Sequence, residues 1–367
     1  MQFEISRETL IKPLQLVTGV VERRQTLPIL SNLLLVLEGN ELSMTGTDLE
    51  VELIGRVEIE NSSESGEVTV PARKLMDICK SLPESAILKM ELDDNKLVIR
   101  SGRSRFVLST LPPSDFPSAE ESAETLEFLI SQERLKEMLD STSFAMAQQD
   151  VRYYLNGLLF EVSPNFLRLV ATDGHRLAMD TEDMSTSGDK PVQVIVPRKG
   201  IVELARLLGE GEDNVEIVIG SNHIRAKTAN FTFTSKLVDG KFPDYDRVLP
   251  KGGDKKIIAS RNEFRQALSR TAILSNEKFR GIRLTLLDDE IKILANNPEQ
   301  EEAEEIVPVE YKGDSLEIGF NVSYLVDVLT VLDTETVQVI VSDPNSSALI
   351  QGAEGSSAIY VVMPMRL

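Results

Sequence analysis

Three stretches of this chain begin alike, and that repetition constrains the fold more than any single motif. Residues 3–10 read FEISRETL, 128–135 read FLISQERL and 257–264 read IIASRNEF. Each is a short apolar strand, then a serine (Ser6, Ser131, Ser260), then a helix-like stretch. Serine suits a helix N-cap because its hydroxyl accepts a hydrogen bond from an orphan backbone N–H. Further on, each copy has an apolar strand ending in a small polar turn: LSMTGTD to Asp48, LRLVATD to Asp173 and IKILANN to Asn297, spaced 125 and 124 residues apart. VPARKLMDI at 70–78 matches VPRKGIVEL at 196–204, Pro71 to Pro197 being 126, with FNVSYLVDV at 320–328 a weaker third copy. Phe116-Pro117 recurs 126 residues later as Phe242-Pro243, with Met363-Pro364 in the corresponding place. One such landmark is ordinary; three in register mark a unit used three times.

The 367 residues are therefore read as three domains, 1–118, 126–248 and 255–367. The breaks fall in the Pro/Ser/acidic stretch 114–123 and the Gly/Lys stretch 249–255. Within a copy the order is strand, helix, several strands, helix, several strands. Alternation such as Lys96-Leu97-Val98-Ile99-Arg100 and Asn230-Phe231-Thr232-Phe233-Thr234 marks half-buried strands. Sequential strands interrupted by only two helices predict an α+β class built on antiparallel sheets, not a doubly wound parallel sheet. Pro13 lies inside the first helical stretch, where it predicts a kink or a delayed start.

Composition narrows the function. Apolar residues make up 41% and charged residues 27%, enough for cores and for solubility. No apolar run approaches the ~20 residues that span a bilayer. The start, MQFEISRETL, is not secretory. One cysteine and two histidines exclude an intrachain disulfide and a zinc framework. The expectation is a cytoplasmic protein without cofactor or metal. Its net charge of −20 argues against a generally sticky nucleic-acid binder.

The charge is nonetheless segregated. The helix-like stretches 7–24, 72–82, 132–148, 198–208, 261–279 and 323–332 together carry +6, leaving −26 on the rest. Such a division suggests a surface that meets a polyanion, with acidic faces elsewhere that limit non-specific binding. The plainer alternative is the surface Lys and Arg that any amphipathic helix carries.

Catalytic motifs are missing: there is no P-loop, no dinucleotide fingerprint and no nucleophile elbow. ATDGHRL at 171–177 puts Asp173 and His175 close enough for an acid–base pair. The competing reading is a turn, because Asp-Gly after a strand is a turn signal and the other copies have no histidine there. The acidic run from Glu299 to Glu305 reads as a solvated or interface face.

Longer strings carry a resemblance. LPILSNLLL at 27–35, GTDLE at 46–50, SGRSRF at 101–106, QDVRYYLNG at 149–157, ATDGHRLAM at 171–179, FTSKLVDGKFPDY at 233–245, RTAILSNEKFRGIRL at 270–284, NNPEQEEAEE at 296–305, IGFNVSYL at 318–325 and YVVMPMRL at 360–367 run the length of the chain. It resembles the family of bacterial sliding clamps, the beta subunits of DNA polymerase III. That resemblance implies three clamp-type domains per chain, each with two helices on antiparallel β-sheets. It also implies a head-to-tail homodimer forming a ring. The implied function is topological: encircling double-stranded DNA and tethering a polymerase, with an outside ATP-dependent loader and no catalysis.

The resemblance also implies three surfaces. DNA contacts fall on Arg24, Arg73, Gln149, Arg152, Tyr153, Tyr154, Arg198 and Arg247. The two tyrosines read equally well as strand core or as stacking partners for exposed bases. A groove for short peptides from the polymerase III catalytic subunit, the clamp loader, other polymerases and repair proteins is implied at Leu155, Thr172, Gly174, His175, Arg176, Leu177, Pro243, Arg247, Val248, Asn321, Tyr324, Ser347, Val361, Val362, Met363, Pro364, Met365 and Arg366. The Met-bearing apolar tail supports this, since methionine adapts to different ligands. A dimer contact is implied between Phe106 and Leu108 of one chain and Ile273 and Leu274 of the other. Arg103 and Arg105 in the first copy complement Glu299, Glu301, Glu304 and Glu305 in the third, which suits a head-to-tail pairing.

Overall fold

The computed structural model describes every residue except 22–26, 118–123, 187, 189, 210–212 and 367, and leaves the side chains of 61–63, 124 and 125 undescribed. Among the described residues six α-helices occur in the order expected: α1 (Arg7–Val20), α2 (Ala72–Ser81), α3 (Gln132–Thr142), α4 (Arg198–Leu207), α5 (Arg261–Thr271) and α6 (Val322–Val331).

The caps repeat as the copies do. Ser6 accepts from the Thr9 N–H at 3.0 Å and Ser260 from the Glu263 N–H at 3.4 Å. The residue after each cap reaches the end of the second helix of its copy. Arg7 Nε donates to the Cys79 carbonyl at 2.8 Å and Arg261 Nη1 to the Leu329 carbonyl at 3.2 Å. In the middle copy Gln132 Oε1 accepts from the Gly209 N–H at 3.2 Å. The last carbonyls of a helix lack intrahelical partners and carry partial negative charge, so a cation there satisfies both. Arg7 and Arg261 thus hold helix pairs together. As bounded in the structure, α1, α2, α4 and α5 are net positive while α3 and α6 each carry −1.

Helix α1 continues through Pro13 rather than starting after it. It lies directly on the strands 41–47 and 51–58, where Gly46 and Gly55 leave only 3.0 Å between a built Cβ and the Val17 side chain. A side chain at either glycine would lift the helix off the sheet.

All described strand pairs are antiparallel. The chain forms two compact units, Met1–Glu133 with Val202–Leu237 and Arg134–Ile201 with Val238–Leu367. The first holds a five-stranded sheet and an eight-stranded sheet; the second holds one twelve-stranded sheet. These units cut across the sequence copies because sheets run through the junctions between copies. In the first unit the strand 231–236, last of the middle copy, pairs with 51–58, third of the first copy's meander, with Phe233 opposite Leu53. In the second unit 358–362, last of the third copy, pairs with 176–183, third of the middle copy's meander, with Val361 opposite Leu177. Both junctions obey one rule.

That rule leaves two strands over. The strand 302–310, third in the last copy, pairs with 290–296 along one side and with 255–260 only at Val309 and Glu310. The strand 104–109, last of the first copy, pairs only with 96–101 among the described residues.

Candidate functional site

The Thr-Asp turn is built identically in the first two copies. Asp48 Oδ1 accepts the Glu50 and Val51 N–H groups at 2.9 and 2.7 Å; Asp173 Oδ1 accepts those of His175 and Arg176 at 2.9 and 3.1 Å. Thr47 and Thr172 brace their turns from Oγ1 in the same way. Asp173 is therefore a turn former, and its second oxygen receives Arg176 Nε at 3.1 Å. The exposed His175 ring stacks on Tyr324, with centroids 6.4 Å apart. An Asp173–His175 acid–base pair does not form.

In the second unit this turn borders a pocket of about 190 Å³ lined by Arg152, Tyr154, Leu155, Thr172, Gly174, Arg176, Pro243, Val248, Val361 and Met363. Beneath it, Leu177, Tyr245 and Val361 belong to a buried cluster with Leu159 and Phe242, against which Tyr154 and Val248 pack. Val248 also lines a neighbouring cleft of about 460 Å³ with Arg247, Leu249, Ser346 and Ser347. The C-terminal residues finish the site. The Met363 N–H donates to the His175 carbonyl at 2.9 Å, and the Met365 N–H to Gly319 at 2.8 Å. Pro364 and Met365 are half-buried and Arg366 is exposed. Asn321 serves as the N-cap of α6, accepting from the Ser323 N–H at 2.9 Å.

Two of the expected groove residues take other places. Val362 is fully buried, and strand alternation sets it on the face opposite Val361. Leu177 is 2% exposed and forms floor rather than wall.

Arg176 is the most constrained side chain here. Besides Asp173, it donates from Nη1 to Asp327 at 2.5 Å and from Nη2 to the Phe144 carbonyl at 3.0 Å. Its guanidinium lies 4.6 Å from the Tyr324 ring centroid and 5.1 Å from that of Phe144. Sequence reasoning missed Phe144 and Asp327, because nothing local links them to residue 176. Burial raises the Tyr324 hydroxyl above the usual phenol range.

The expected DNA-contacting residues divide into several groups. Arg24 lies outside the described residues. Arg73 and Gln149 are exposed, Gln149 at φ +55°. Arg73 and Arg198 stand in the first turns of α2 and α4. A cation there opposes the helix dipole, yet together with the free N–H groups it offers an anion two kinds of donor. Arg198 is half-buried, and Arg247 is exposed beside Asp244 at 2.8 Å. Arg152 pairs with Asp150 at 2.9 Å, and that bond pulls the Asp150 carboxyl down to about 2. Tyr153 and Tyr154 occupy a short helical turn, not a strand. Tyr153 is exposed, whereas Tyr154 faces the pocket and its core cluster, so only Tyr153 is open to a base.

At the two leftover edges, Arg103 and Arg105 are exposed beside or on one strand. On the other, Glu304 and Glu305 pair with Lys292 and Arg270, while Glu299 and Glu301 sit in the preceding exposed turn. Ile273 is 76% exposed, Leu274 and Phe106 are half-buried, and Leu108 is 6% exposed. Leu108 thus belongs to its own core. Besides Ile273, the two strands leave Val107 and Ile306 open, apolar residues that the sequence reading overlooked.

This threefold helix-and-sheet fold matches one class of protein. Models for the N-terminal, central and C-terminal domains of the DNA polymerase III beta subunit match residues 1–120, 129–244 and 246–366. The chain is 65% identical to the beta sliding clamp of Pseudomonas aeruginosa over 367 residues, each chain covered in full. It is similar to the crystal structure of the DNA polymerase III subunit beta from Pseudomonas aeruginosa, with TM-score 0.98, 64% identity and full coverage of both chains. A sliding clamp from the same organism bound to griselimycin gives the same TM-score of 0.98 at 64% identity, again with full coverage. The chain belongs to the DNA polymerase III beta subunit family, the DNA sliding clamps. In that family the protein is a non-catalytic processivity subunit, and the α+β class with three clamp domains agrees with it.

Proposed function

We propose that two copies of this chain pair head to tail, close a ring around duplex DNA, and use the pocket beside Gly174 and Met363 to hold linear peptides of replication partners. The observation that carries the reading is the junction rule. The pairing of 51–58 with 231–236 and of 176–183 with 358–362 leaves 302–310 and 104–109 as the equivalent pair. One edge is acidic and the other is flanked by Arg103 and Arg105. Exposed strand edges invite a partner strand, and opposite charge fixes which strand and which direction. Ile273, on a short turn beside the acidic edge, supplies an exposed apolar contact for Phe106 and Val107.

Boundaries near 118–126 and 248–255 separate the domains. Arg73, Arg198, Arg247 and the region of Gln149, Arg152 and Tyr153 meet phosphates, contacts that are sequence-independent and exchange readily during sliding. The partners taken up by the pocket and its neighbouring cleft are the polymerase III catalytic subunit, the ATP-dependent clamp loader and other polymerases and repair proteins. We place the protein in the cytoplasm on this replicative role. The test is topological: after loading by a clamp loader, the protein is retained on nicked circular DNA and lost when the circle is cut once. Equal loss from both would overturn the ring.

A further inference from the structure

The only charged residue of α6 is Asp327, and it points to Arg176 on a strand of the preceding copy. We infer that Asp327, with Phe144, is a positioning residue for the pocket: it fixes Arg176 and, through Tyr324, the His175 rim, without itself lining the cavity. This inference rests on the peptide-pocket reading above.

The geometry leaves Arg176 little freedom. Each guanidinium nitrogen has its own acceptor: Nε has Asp173, Nη1 has Asp327 and Nη2 has the Phe144 carbonyl. The planar group also lies over the rings of Tyr324 and Phe144. Planar stacking and directional donors together specify both position and tilt. The Arg176 side chain is 12% exposed, so a lost acceptor is not simply replaced by water. Tyr324 lies one helical turn from Asp327, and its second neighbour is the His175 ring. Releasing Arg176 from Asp327 therefore loosens both the arginine wall of the pocket and the aromatic stack at its rim. Asp173 is already engaged at both oxygens, Oδ1 by two backbone N–H groups and Oδ2 by Arg176 Nε, so it does not reach the Nη1 that Asp327 holds.

The test uses the full chain and a synthetic linear peptide copied from the clamp-contacting segment of a polymerase III catalytic subunit, the partner class proposed above for this pocket, measured by titration calorimetry. Met363→Ala, a change in the pocket wall, tests the pocket itself. Asp327→Asn is expected to weaken binding of that peptide about fivefold, near the upper end for a partly exposed ion pair, and Asp327→Glu to recover most of that loss. In an Arg176→Gln background, Asp327→Asn should have no further effect, and the melting temperature should change little. Weakening by Met363→Ala with none by Asp327→Asn overturns the positioning role alone. Equal losses from Asp327→Asn with and without Arg176 overturn it too, since a merely structural aspartate behaves that way. No effect of Met363→Ala overturns the pocket and this inference together.

Discussion

Leu49 and Gly174 hold the same place in the same Thr-Asp turn, at φ of +78° and +89°. Left-handed backbone suits glycine and costs a leucine roughly 1 kcal/mol. Leu49→Gly should therefore stabilise the chain by about 0.5 kcal/mol after the entropy glycine adds to the unfolded state. The check is a higher denaturant midpoint at unchanged slope. Gly174→Leu should do the reverse and displace Arg152, whose guanidinium lies 3.1 Å from a built Cβ.

The proposed dimer contact makes a graded prediction. Ile273→Ala with Leu274→Ala should shift the protein toward monomer in sedimentation at sub-micromolar concentration, because burial of apolar surface dominates such a contact. Arg103→Glu with Arg105→Glu should act more weakly, about 0.5 kcal/mol per exposed pair, with an effect that fades in high salt. Val107→Asp should match or exceed the arginine changes, as the exposed apolar residue of that edge.

DNA contacts through phosphate predict a salt signature. Arg73→Ala and Arg198→Ala should each lower the slope of log affinity against log salt by about one, with no change in sequence preference. A substitution that relaxed a base preference instead would mean that its residue reads bases.

Tyr245 predicts an alkaline effect. Burial first, and then its hydrogen bond to Glu161, push its phenol up to about 12. A phenol raised in the fold contributes stability that is complete below the unfolded value near ~10 and fades as pH rises toward the folded one. Tyr245→Phe should remove one late-ionising tyrosine from a titration followed by ultraviolet absorbance, and should flatten stability between those limits.

Much of this was legible in the residues themselves. Ser6 and Ser260 announced their caps, Asp48 and Asp173 their turns, and the period-two strands their antiparallel sheets, because each signal is local. The continuation of sheets between copies was not legible. Phe233 and Leu53 face each other across 180 positions, and no local pattern reports such pairing. The same limit hid Asp327 and Phe144. At 104–109 the apolar residues fall on both faces, so alternation could not choose between Val107 and Leu108. For Tyr153 and Tyr154 the residues leave strand core and base stacking equally open, because the short helical turn that sends one outward and the other inward has no local signal.

The repeated junction has a mechanical consequence. Where consecutive copies share a sheet, the polypeptide itself also ties them, so a seam that lets go there remains leashed. The seam proposed between 104–109 and 302–310 has no such leash. As proposed, it would be held by backbone hydrogen bonds, side-chain contacts and screened charge alone, which would make it the natural door for a machine that must admit a closed circle of DNA.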